Sequence, residues 1–248
     1  MSTKKLLFIH HSTGANLIRQ GNLRQILKKK IPTLQFWDHS YNLLPLWQVT
    51  ARIVPYQTGL SDKDGHLTGI DFRIEIANTD PQGYANLFSQ PVNVPADNAF
   101  SKIVTNFDIV MFKSCFPVTK IESNRQLEHY KNCYIKIRDN IDRLPDKYFI
   151  LFTPPPLRRE MTKSEYAVRA RKYADWMKSV EYIGKRENMA VFDFFDILSD
   201  NEGENANLLK RSYCPFLFFD SHPNKKANNV AALKLIGFLL QHLKKVEG

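Results

Sequence analysis

Two segments near opposite ends of the chain hold the residue types of nucleophilic catalysis. Near the start, His10-His11-Ser12-Thr13-Gly14 follows a short apolar run; near the end, Asp220-Ser221-His222-Pro223-Asn224 precedes a long helical pattern. A serine hydroxyl is a weak nucleophile at neutral pH and needs a base, for which imidazole serves. A carboxylate beside the imidazole then fixes its tautomer. Ser12 falls where a buried strand gives way to a helix, so unpaired backbone N–H groups and the helix dipole favour a developing anion there. Capping that helix is the ordinary alternative for Ser12 or Thr13. The loop histidine behind a carboxylate turns the reading toward catalysis, with Ser12 as nucleophile, His222 as base and Asp220 as its orienting partner.

An acyl-transfer site also needs donors for an oxyanion, and the ends of the other apolar runs offer them. The Ser12 N–H is the first. Asn42, Asn78, Lys113 and the backbone at Ser114 or Cys115 are the further candidates. Asn78 also suits a plain turn, and Lys113 a strand-end lysine that reaches for solvent. Cys115 is a second candidate nucleophile, since a nearby lysine lowers a thiol's pKa. His10, His11, Asp38, His39 and His222 are ligand types suited to zinc, but neither H-E-x-x-H nor any similar spacing occurs. No metal and no cofactor is expected.

These residues must be held by a scaffold, and the apolar pattern describes one. Runs at 6–10, 109–112, 148–153 and 189–194, with a weaker one at 34–37, are continuous rather than alternating. That suits strands buried on both faces of a parallel sheet. Between them, Leu127, Tyr130, Tyr134, Ile137, Ile141 and Leu144 repeat at helical spacing, and so do Tyr166, Ala170, Tyr173, Met177 and Val180. A last helix is predicted over 224–243 and another over 15–30, weakened by Gly21. Strand–helix alternation predicts an α/β fold, a three-layer α/β/α sandwich around a parallel sheet of about five strands. In such sheets ligands bind beyond the carboxyl ends of the strands, where the candidate residues lie. A single domain over 1–248 is expected, with a long irregular insertion at about 40–106, rich in Gly, Asn, Asp and Pro.

Composition narrows the classes. Of the 248 residues, 43% are hydrophobic and 24% charged, which excludes bulk disorder. The net charge of +10 comes from Lys and Arg spread along the chain, with no RNP, zinc-finger or P-loop pattern. It reads as a generally basic surface, and nucleic acid is not an expected partner. Three cysteines at irregular spacing make no disulfide framework, and Cys133 falls on an apolar helix stripe as a buried thiol. No stretch approaches a membrane span, and the leading apolar run is too short for a signal peptide. A cytoplasmic protein is therefore expected.

A serine after the first strand, together with a D-x-H-P-N segment before the last helix, resembles the SGNH (GDSL-like) hydrolase superfamily over essentially the whole chain. His10-His11-Ser12-Thr13 stands where that superfamily has Gly-Asp-Ser-Leu, and FIHHSTG, NTDPQGYANLF, FKSCFP and DSHPN resemble a divergent branch. The resemblance implies a flavodoxin-like sheet and a serine esterase acting on a small-molecule or carbohydrate ester, hydrolysing or transferring a small acyl group. Three positions depart from the pattern. Asp220 precedes His222 by two residues rather than three. No Asn follows the run at 109–112, and no Gly follows Trp37. These departures keep a second class open, a binding protein for a carbohydrate or anionic ligand with weakened catalysis. Arg158 and Arg159 would suit an anionic substrate, or simply begin a helix.

Overall fold

The computed structural model describes residues 3–41, 58–74, 80–92, 97–217 and 219–243. In chain order the elements that build the site are β1 (Lys4–His10), α1 (Ser12–Arg19), α2 (Leu23–Lys30), β2 (Leu34–Ser40) and β3 (Gly59–Ser61). Then come α3 (Pro81–Phe88), α4 (Ala99–Asn106), β4 (Ile109–Phe112), α5 (Asn124–Ile141) and β5 (Tyr148–Phe152). The chain closes with α6 (Ser164–Lys178), α7 (Val180–Ile183), β6 (Met189–Phe192), α8 (Phe194–Leu198) and α9 (Lys225–Leu243).

The six-stranded sheet runs in the order β3-β2-β1-β4-β5-β6. Every pairing is parallel except β2 with β3. The fold is thus α/β with three layers, and its five parallel strands gain one short antiparallel edge strand. Alternate residues of each central strand feed two separate cores. Leu7, Ile9, Val110, Phe112, Phe149 and Leu151 pack among α3, α4 and α5. Leu6, Phe8, Ile109, Met111, Ile150 and Phe152 pack against α1, α2 and α9. Both faces are dry, which is why these strands read as unbroken apolar runs.

Several expected boundaries move for identifiable reasons. The helix expected over 15–30 is two helices, because Asn22 takes a left-handed turn at φ 50°. A Cβ on Gly21 would come within 2.8 Å of the Ala232 Cβ, so the break lets α9 lie against α1. The run at 34–37 extends to Ser40, so Asp38 and His39 lie within β2 rather than beyond it. A strand tolerates Asp38 because Arg24 from α2 and His10 from β1 both pair with its carboxylate. Within the stretch expected to be irregular, β3, α3 and α4 form. The two helices carry proper caps: Asp80 accepts from the Gln82 N–H with Pro81 in the first turn, and Asn98 accepts from the Ser101 N–H.

Candidate active site

The chain leaves β1 toward β2 on one side, and the sheet continues from β1 to β4 on the other. The order reverses between β1 and β4, and the crevice of a doubly wound sheet opens at such a reversal. His11 to Gly14 follow β1 there, and Lys113 to Cys115 follow β4.

His11 is the N-cap residue of α1 in extended conformation and makes no side-chain cap bond. Among the described residues, Ser12 makes no side-chain cap bond either. Its Oγ lies 3.1 Å from His11 Nδ1 and 3.3 Å from Cys115 Sγ. The Thr13 hydroxyl lies 3.5 Å from the same sulfur and accepts from the Lys113 ammonium. Lys113 does not reach solvent; it is fully buried, with its main-chain oxygen taking the Tyr84 hydroxyl at 2.9 Å. Burial pushes its ammonium down to about 8, against the opposing pull of Cys115. Ser114 is buried as well, its Oγ 3.5 Å from Tyr134 Oη. The His11 ring stacks on Tyr41 at 5.5 Å, which fixes its plane beside Ser12.

From the other end of the chain, the loop before α9 delivers His222. Its Nδ1 lies 2.5 Å from Asp220 Oδ1, and its main-chain N–H donates to the same oxygen at 2.9 Å. A carboxylate only accepts, so Nδ1 carries the proton and Nε2 presents a lone pair. That Nε2 is buried without a hydrogen-bond partner among the described residues, and the Phe116 ring stands edge-on to the imidazole at 4.9 Å. Burial pulls the imidazole pKa down, but Asp220 and Cys115 outweigh it, and the value ends above the usual 6.5. Asp220 is held below its usual range: the hydrogen bond and charge of His222 overcome the cost of burial. A cleft of about 520 Å³ opens beside the pair, lined by Asn16, Arg19, Phe216, Asp220, His222 and Lys225 among others.

The remaining sequence candidates fall elsewhere. Asn42 and Asn78 lie outside the described residues. His10 is bonded to Asp38 at 2.9 Å, and both line a separate cavity of about 200 Å³ on the far side of α1, where Arg24 completes the pairing. His39 is buried in β2, its Nε2 accepting from the Phe72 N–H at 3.1 Å, and burial drives its pKa down to about 4. Among the described residues no group of three or more His, Cys, Asp or Glu is placed to hold a metal ion. Arg158 bonds Glu160 and the Leu217 carbonyl, and Arg159 pairs with Glu204. Sequence reasoning did not foresee Thr13 as the link between Lys113 and Cys115, or His11 as the imidazole bonded to Ser12. The adjacency of His11 and Ser12 was the only available signal for the second.

No protein-family model and no curated protein matches the chain. Among solved structures, the chain is similar to a protein described as a platelet activating factor from Streptococcus pneumonia, with TM-score 0.48 and 11% identity over 96% of this chain and 85% of that one. It is similar as well to a family two carbohydrate esterase from Cellvibrio japonicus, with TM-score 0.47 and 12% identity. That alignment covers 99% of this chain and 63% of the esterase.

Proposed function

We propose that the protein is a serine esterase that hydrolyses, or transfers, a small acyl group. Ser12 is the nucleophile, His222 the general base and Asp220 its orienting carboxylate. The observation that carries this reading is the Asp220–His222 pair. The His222 Nε2 is buried with no hydrogen-bond partner among the described residues, and its ring stands against Phe116, next in the chain to the Cys115 whose sulfur touches Ser12. In the resting arrangement Ser12 leans on His11 and Cys115; catalytic hydrogen bonds commonly tighten only once substrate is bound. On attack, Nε2 takes the hydroxyl proton and returns it to the leaving alcohol. The Ser12 main-chain N–H and the groups after β4 face the developing oxyanion. An acylated carbohydrate as substrate follows from the sequence resemblance alone.

Hydrolysis of aryl acetates and acetylated sugars, with labelling by a fluorophosphonate, tests the assignment. Ser12→Ala and His222→Ala should each lower kcat by about 10⁴ or more, with the double variant no worse than either single one, because the two act as a unit. The label should sit on Ser12. Loss of rate in His11→Ala with rate retained in His222→Ala would move the base to His11. Absence of both hydrolysis and labelling would favour the binding protein.

A further inference from the structure

The cluster behind Ser12 contains a buried cation with no carboxylate among its described contacts. Lys113 is completely buried, and its ammonium donates to Thr13 Oγ1. That hydroxyl also lies 3.5 Å from Cys115 Sγ, so one side-chain oxygen separates the ammonium from the sulfur. A desolvated cation is costly unless an anion compensates it, and here the available anion is the thiolate. His11 bonds to Ser12 beside the same sulfur, and His222 stands against the next residue, Phe116. Burial alone would push the thiol up, but a hydrogen bond from His11 and the charges of Lys113 and His222 bring Cys115 well below its usual value of 9.0. The other two thiols differ. Cys133 sits near Gln82 and His129, Cys214 points at the carbonyls of Leu209 and Lys210, and burial raises both.

We propose that Cys115 is a peroxide-sensitive modification site: hydrogen peroxide oxidises it to a sulfenic acid, and the added oxygen lodges against Ser12 Oγ and stops acyl transfer. The thiolate sulfur attacks one peroxide oxygen, the O–O bond breaks, and sulfur gives up two electrons. The departing hydroxide takes a proton from the Lys113 ammonium and leaves as water. With Ser12 Oγ at 3.3 Å, the sulfur has no room for an oxygen on that side that does not displace the nucleophile. All three thiols are free, and an external thiol can reduce the sulfenic acid. The block on activity rests on the Ser12 reading; the modification itself does not.

The test treats the intact protein and its Ser12→Ala variant with hydrogen peroxide in the presence of dimedone, and maps the label by peptide mass spectrometry. Cys115 should label at least about ten times faster than Cys214, although Cys214 is the more exposed thiol. Ester hydrolysis should fall in step with oxidation and return with dithiothreitol. Lys113→Met should slow labelling by roughly tenfold or more. If that variant fails to fold, the contrast among the three wild-type thiols still decides. Equal or faster labelling of Cys214, or an unlabelled Cys115, overturns the site. Hydrolysis that continues while Cys115 is fully oxidised overturns the block and leaves the esterase reading standing. Rapid labelling of Cys115 in a protein without esterase activity supports the site and removes the esterase reading instead.

Discussion

Asp220 Oδ1 takes two hydrogen bonds from one residue, the main-chain N–H and the ring Nδ1 of His222. The first closes an Asx-type turn, which lets a carboxylate only two residues ahead reach the imidazole. It brings the carboxylate round to the imidazole instead of leaving it on the opposite side of an extended loop. The pairing sets a pH dependence with a definite sign. A general base works unprotonated, and the His222 pKa lies above 6.5, so kcat/KM should rise with pH through that raised value. Asp220→Asn removes the charge that raises it. The acid limb of the pH–rate profile should then move to lower pH. At the plateau, kcat should fall by about 10²–10⁴, because an amide facing Nδ1 favours the wrong tautomer. An acid limb that stays in place would show that Asp220 does not govern the base.

Between β1 and α1 the chain has no room to spare. An added Cβ on Gly14 would lie 2.4 Å from the Cβ of His10, so the first turn of α1 sits directly on the strand that precedes it. Gly14→Ala must shift that turn, and Ser12 with it. The expected result is a loss of activity of at least about 10²-fold, since misplacement by about 1 Å has that cost, with a smaller loss of stability. Parallel measurement of kcat/KM and of the urea midpoint checks the split. The strands of this layer were legible in the sequence because their two dry faces demand unbroken apolar runs. The end of β2 was not, because Asp38 looks like a loop residue until Arg24, fourteen positions earlier, is seen to reach it. The same holds for Cys115. Its type and its neighbour Lys113 were readable, but its contact with Ser12 depends on which strands are adjacent in the sheet.

At the scale of the molecule, Arg171 makes the largest share of the described polar contacts between α6 and the segment that follows β6. Arg171 of α6 bonds Asp196 of α8, and also Ser199, Asn201 and Asn207 in the segment that follows. Lys178 of α6 reaches Asp196 as well, at 2.9 Å. Arg171→Met leaves these acceptors without their donor and should cost about 3 kcal/mol, or roughly 6–12 °C in Tm for a chain of this size. Thermal unfolding gives the shift directly, and kcat should stay near wild type because the seam lies at the far edge of the sheet from β1 and β4. A Tm within a degree of wild type would mean that the Lys178 contacts carry the seam.

The Ser12–Cys115 contact spans 103 residues of chain, whereas Asp220 and His222 are two apart. One half of the proposed catalytic apparatus is therefore native-like whenever a short peptide turn forms, and the other exists only after β1 and β4 have found each other. Closing a loop that long carries an entropic cost that a local turn avoids. During synthesis Ser12, the proposed nucleophile, emerges well before His222, its proposed base. Until both have formed, the proposed nucleophile stays without its proposed base, so esterase activity would report assembly of the whole site rather than of any single element.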